Sequence, residues 1–276
     1  MSLMRQTLKQ TRARVSLVLI AGVVLVAVLG PYLALAPPND FVGPPFQGSP
    51  YSPFGTDLLG RDVLSRFLSG GLSILLIALI ATTLGVALGT MIGTTAAYLR
   101  SRSGDLIMRA NDVLLAFPMI VFALLIISIL GPKPWLLTLT VALGTAPRVA
   151  RLARSAALEV VDREFIKVSE LFGESRYAIL WRELLPNIAS PLLVEASLRL
   201  TYSIGVVASL SYLGFGTQPP DPDWGRMISE NQSAVSIQPW PVLMPVIAIA
   251  VLTIGTNILA DCFLRTLVGI ERGKDS

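Results

Sequence analysis

Residues 67–99 are thirty-three consecutive positions without a charge. About 20 apolar residues are enough for a helix to cross the hydrocarbon core of a bilayer. Residues 15–36, 113–132 and 242–260 are further charge-free runs of that kind. Two more candidates are less clean. Residues 135–147 become a span only by continuing through Arg148 and Arg151, with those side chains reaching toward the interface, and residues 188–213 are long enough but contain Glu195 and Arg199. Charged residues make up 14% of the chain, against about 25% in soluble domains, so too little polar material is present to clothe a soluble globule. The pattern predicts an all-α membrane protein with six transmembrane helices.

With six spans both termini share one side. If that side is inside, the inner segments 1–14, 99–112, 148–187 and 265–276 hold seventeen Lys and Arg, and the outer segments hold Arg61, Arg66, Lys133 and Arg226. That asymmetry orients the chain with both termini cytoplasmic. The first run follows Arg5, Lys9, Arg12 and Arg14, but it is longer than a usual signal h-region and leads into Pro37 and Pro38, not a small-residue cleavage site. It reads as a retained signal-anchor.

Composition also excludes several chemistries. There is no histidine and one cysteine, Cys262, so neither an internal disulfide nor a histidine/cysteine metal cluster or nucleophile can be built. No G-x-x-x-x-G-K-[ST] loop is present to cradle phosphates. The net charge of +4 is spread between hydrophobic blocks, a pattern that reports membrane orientation and not nucleic-acid binding.

Between the first two runs, residues 37–60 contain Pro37, Pro38, Pro44, Pro45, Pro50 and Pro53 with four glycines, which predicts an extended outer cover. Thr56 or Asp57 is the expected cap of a helix beginning near Leu58, with Asp62 and Arg66 paired at i,i+4. Gly85, Gly89 and Gly93 line one helix face and predict a close packing seam, within the bundle or with a partner subunit. Pro118, Pro191 and Pro245 fall in or near spans and mark kinks or irregularities.

The long inner segment, residues 148–187, alternates charges of both signs. Phe165, Val168, Leu171 and Phe172 recur at helical spacing up to Gly173; a second stretch with Tyr177, Ile179, Leu180, Trp181, Leu184 and Leu185 ends at Pro186. Helix, glycine, helix with exposed aromatics describes an amphipathic element offered to something on the inner face. Anionic lipid favours a mainly basic face; the mixture of Glu, Asp and Arg here favours a protein partner.

These residues resemble a known family. EFIKVSELFG at 164–173 followed by ILWRELLPN at 179–187 is similar to the EAA loop of ABC importer permeases. GTDLLGRDVLSR at 55–66, DVLLAFP at 112–118 and SYLGFGTQPP at 211–220 with Trp224-Gly225 resemble signatures of the dipeptide/oligopeptide/nickel permeases, of the C type with an extra first span. The resemblance implies a type I ABC importer (MetI-like) permease fold with a cytoplasmic coupling helix. Residues 1–70 would be an N-terminal transmembrane helix and a Pro/Gly-rich periplasmic segment, and 71–276 a core of five transmembrane helices with the EAA-type loop at 159–187. It departs from the family where Lys167, Val168 and Ser169 replace the glutamate and two alanines that name the loop, where Gly70-Gly71-Leu72-Ser73 lacks a common basic residue, and where Glu195 and Arg199 carry unusual charges.

The resemblance implies a transport subunit of the bacterial inner membrane that is not itself an enzyme and binds no cofactor, with ATP and Mg on partner subunits. Its partners would be a second permease, two ABC ATPases and a periplasmic or lipid-anchored solute-binding protein. The ATPase-coupling residues would be Glu164, Phe165, Lys167, Val168, Ser169, Leu171, Gly173 and Pro186. Glu195 and Arg199 are expected either to line the pathway or only to pair with each other; Trp224, Arg226 and Met227 are expected either to contact the binding protein or to anchor at the interface. Peptide is the expected cargo, with nickel–chelate, glutathione or opine-like solutes as alternatives. A channel or secondary carrier without an ATPase is the rival class.

Overall fold

The computed structural model describes residues 6–48, 52–99 and 102–272, with side chains to 269. Arg5, Pro50, Arg100 and Lys274, counted above, lie outside the described residues. Apart from isolated bridges in the outer loop, the regular secondary structure of the described residues is helical. In chain order the helices are α1 (Thr11–Leu33), α2 (Val63–Leu99), α3 (Arg102–Leu115), α4 (Met119–Leu130), α5 (Pro134–Val161), α6 (Glu164–Leu171), α7 (Leu185–Tyr212), α8 (Trp224–Asn231) and α9 (Trp240–Arg272).

Among the described residues four helices are long and apolar enough to cross a membrane: α1, α2, the run Arg176–Tyr212 that contains α7, and Trp240–Gly269 within α9. The pair α3 and α4 is long and apolar enough only when taken together, and its two helices meet at an angle of 81°. The remaining candidate, α5, is 28 residues long, but Arg148, Arg151 and Arg154 in its inner half keep it below the apolar threshold of the others.

The third span corrects the expectation of a single run over 113–132. The helix stops at Leu115 and restarts at Met119, with Pro118 in extended conformation at its N-cap. Proline lacks the N–H that would continue the ladder, and it steers the preceding residue out of the helical region. The second helix of the inner loop also differs from expectation. It does not end at Pro186 but passes through a π-helical turn, Ile179–Leu184, directly into α7, with Pro186 in the first turn of α7. The wider turn shifts the ladder where proline has no hydrogen to give.

In the outer loop the helix starts at Val63, capped by Asp62, whose carboxylate accepts from the Ser65 N–H at 2.7 Å. Thr56 and Asp57 instead belong to the turn before it. Asp57 accepts from the Leu59 and Arg61 amides, each at 2.9 Å, and the Thr56 hydroxyl donates to the Pro44 carbonyl at 2.6 Å. Gly60, at φ 71°, passes so close beneath the Gly43 carbonyl that a Cβ would stand 2.2 Å from it. This region is folded by its own polar groups and not by helix propensity.

The glycine seam lies within the bundle. A Cβ on Gly89 would come 2.4 Å from the Ala146 carbonyl, and one on Gly93 2.3 Å from the Ala150 carbonyl. Contact of backbone with backbone lets α2 and α5 pack along their length, the closest approach that helices in a bilayer can make. An outer core joins Ile74, Leu137, Val141, Ile204, Leu210 and Trp224; a second one, at the inner end, joins Val149, Ala153, Val160, Leu184 and Ile188.

Candidate functional site

The inner loop has two sides. Ile166 is buried, and Phe165 packs onto the core that holds Val160, Leu184 and Ile188. Val168, Leu171 and Phe172 point away from it, with Leu171 86% and Phe172 84% exposed. Phe165 therefore leaves the apolar stripe it shares with them in the sequence. Tyr177 and Trp181 extend the exposed edge, their rings 5.9 Å apart. Glu164, Lys167 and Pro186 are exposed and Ser169 is half-buried.

Helix α6 ends in a Schellman closure. The Glu174 N–H reaches back to the Ser169 carbonyl at 3.1 Å and that of Gly173 to Glu170 at 3.0 Å. Gly173 adopts φ 78°, and nothing lies within 4 Å of where its Cβ would be. Its requirement is conformational, not steric, since side chains with a Cβ are strained in the left-handed region. The Tyr98 hydroxyl at the inner end of α2 donates to Glu170 at 2.8 Å, so the loop is tied to the longest helix.

Deeper in the bundle, Glu195 and Arg199 form an ion pair at 2.9 Å with side chains only 12% and 15% exposed. The Arg199 guanidinium lies 5.7 Å from the Tyr202 ring centroid, and that of Arg148, from α5, lies 5.3 Å from the same centroid. Arg148 and Tyr202 line a cavity of about 250 Å³ that opens at the break between α3 and α4. The expected pair is thus present, and Tyr202 and Arg148 join it; a lone arginine and tyrosine in separate segments gave no sequence signal for that meeting.

On the outer face the structure corrects the reading of Trp224 and Met227. Both are 0% exposed and have no surface to offer a partner. The Trp224 indole donates to the Phe67 carbonyl at 2.7 Å and stacks on the Phe67 ring at 5.4 Å. Gly71 makes room for it: a Cβ there would stand 2.3 Å from the indole. Arg226 is largely buried, donating to the Thr217 and Asp221 carbonyls and pairing with Glu230 at 3.3 Å. Asp223, which sequence reasoning missed, organises this corner. It caps α8 through the Gly225 and Arg226 amides, accepts from Ser73 at 3.2 Å, and accepts from Ser211. An Asp immediately before an amphipathic stretch was the available signal.

Comparison with known proteins adds to this geometry. Residues 85–268 match the family model described as binding-protein-dependent transport system inner membrane component. A dipeptide transport system permease protein (DppC) of Alkalihalophilus pseudofirmus is 33% identical over 93% of this chain and 85% of its own length. A putative peptide transport system permease protein of Brucella suis is 37% identical over 93% and 87%. A glutathione transport system permease protein of Pectobacterium atrosepticum is 36% identical over 75% and 69%. Among solved structures, the inward-facing MetNI methionine ABC transporter superposes with a TM-score of 0.55 over 73% of this chain and 96% of that one, at 16% identity, which establishes likeness of fold.

Proposed function

The chain belongs to the binding-protein-dependent transport system inner membrane components, the permease subunits of ABC importers, and from that premise we propose that it carries di- and oligopeptides inward by alternating access. A permease of this family is a multi-pass inner-membrane protein that hydrolyses no ATP itself. It works with an ATPase, a second permease and a substrate-binding protein, which leaves no room for the ATPase-free channel or carrier. Peptide cargo draws its support from the relatives named for peptide transport; glutathione, a peptide itself, is a close second through its own relative.

The observation that carries the mechanism is the exposed edge of Leu171 and Phe172 on a helix whose other side buries Ile166 and packs Phe165 against the inner core. An apolar edge presented by a braced helix suits transmission of force. We assign it to one of two ATPase subunits, with both termini on the same cytoplasmic side. Closure of the ATPase pair on nucleotide would press such helices together and bias the bundle toward its outward-open arrangement, and hydrolysis would release it. Glu164, Lys167, Val168 and Ser169 fall within this contact, Gly173 sets the turn that ends it, and Pro186 begins the helix that carries movement into the bundle. We read the ion pair of Glu195 and Arg199 as part of the pathway wall, because its Arg199 lies against Tyr202, which lines the cavity.

The test is reconstitution of the four kinds of subunit in proteoliposomes with labelled dipeptide. ATP-dependent accumulation is expected, abolished by Gly173→Asp with membrane insertion unchanged. Full transport by that variant would remove the loop from the mechanism.

A further inference from the structure

Arg148 differs from the arginines near it. Arg151 holds Asp112 at 2.9 Å, Arg154 holds Asp105 at 2.6 Å, and Arg199 holds Glu195 at 2.9 Å. Among the described residues Arg148 pairs with no carboxylate, and its guanidinium lies over Tyr202 instead. Glu195 serves Arg199 alone, so of the two cations grouped around the Tyr202 ring the exposed Arg148 has no carboxylate partner among the described residues.

That charge faces a built space. The break at Pro118 opens the cavity of about 250 Å³ beside Arg148. Met119 fills the notch at Gly144, where a Cβ would stand 1.7 Å from its sulfur. Leu114, Phe117 and Phe122 supply the apolar part of the lining. A hollow whose apolar walls carry a few placed polar groups is the usual form of a small-ligand site, and this one has room for the C-terminal end of a peptide. A cation–π contact steadies a guanidinium without using its in-plane N–H donors, and those donors form a fork that matches a carboxylate.

We propose that Arg148 is a specificity residue of the transport path, binding the free C-terminal carboxylate of a peptide as the cargo passes the break in the third span. The proposal rests on the peptide-importer reading and names the group by which the permease itself recognises cargo.

The experiment compares uptake of a labelled dipeptide and of its C-terminal amide by the reconstituted complex, always with the same saturating binding protein, whose own preference then cancels between permease variants. Arg148→Gln is expected to lower the acid-to-amide uptake ratio by about tenfold, with ATPase stimulation by loaded binding protein retained. Arg148→Lys keeps most of the ratio, and Tyr202→Leu, which removes the ring beneath the guanidinium, lowers it less. An unchanged ratio in both Arg148→Gln and Tyr202→Leu overturns the proposal while the peptide reading stands. A wild-type complex that accumulates neither compound overturns the peptide reading and this proposal with it.

Discussion

Arg66 directs its buried guanidinium to Asp57, 3.3 Å away across the turn, and not to Asp62 one helical turn behind it. Asp62 is already engaged by the Ser65 amide and the Ser52 hydroxyl. Asp57 meanwhile holds Arg61 at 2.7 Å, and Glu230 from α8 lies 2.9 Å from Arg61. The outer signature is thus a buried ionic knot that fastens the loop to the start of α2. Asp57→Asn leaves Arg66 buried with its nearest counter-charge gone and is expected to cost about 3–5 kcal/mol. Thermal unfolding of the detergent-solubilised complex measures it; an unchanged midpoint would contradict the knot.

Gly89→Val forces a side chain into the seam where a Cβ already lies 2.4 Å from the Ala146 carbonyl. Overpacking of this kind costs about 1–3 kcal/mol or more. Gly22→Val, at a position with nothing within 4 Å, is the control and is expected to express normally. Equal yields of the two variants would show that α2 and α5 are not held at this distance.

Leu171→Asp and Phe172→Asp place charge on the exposed edge of α6. Each is expected to weaken capture of the ATPase subunit by about tenfold or more, the scale of a lost interface anchor, with unchanged permease yield. Phe165→Asp faces the body and is expected to lower permease yield instead. Pull-down against yield separates the two effects, and the same outcome for all three would erase the two-sided description of this helix.

Trp224→Leu loses the indole bond to the Phe67 carbonyl and the stack on its ring. The expected cost is about 3 kcal/mol, at the low end for emptying a large aromatic site. Titration of the binding protein onto surviving complex is expected to give unaltered affinity, because the side chain has no surface. Lost affinity at full stability would return Trp224 to the docking face.

Glu195→Gln leaves Arg199 without its carboxylate in a poorly solvated site, and a loss of about 3 kcal/mol is expected. The exchanged pair, Glu195→Arg with Arg199→Glu, is expected to recover most of it, read as the thermal midpoint. Normal stability in Glu195→Gln alongside abolished uptake would assign the carboxylate to cargo and not to pairing.

Features governed by position along one chain were open to reading from the residues alone. A bilayer sets a length and forbids charge, so the runs at residues 15–36, 67–99 and 242–260 announce α1, α2 and α9. Glycine every fourth residue marks one helix face, and the seam at Gly85, Gly89 and Gly93 follows from that spacing. Gly173 after an amphipathic turn marks a left-handed C-terminal stop, because the residues just before it run out of helical partners.

What depends on partners far apart in the chain became known only from the packed structure. Trp224 is amphipathic in the abstract; Phe67 and Gly71 from another helix bury it. Arg66 had two nearby acids, and competition for Asp62 by Ser52 and Ser65 decided between them. Arg148 and Arg199 sit on different helices, and nothing in their local sequence states that one tyrosine ring lies beneath both. Periodicity fixes which face of a helix is apolar, whereas the neighbour that meets that face, and hence which charges go unpaired, is set by the three-dimensional arrangement of the whole bundle.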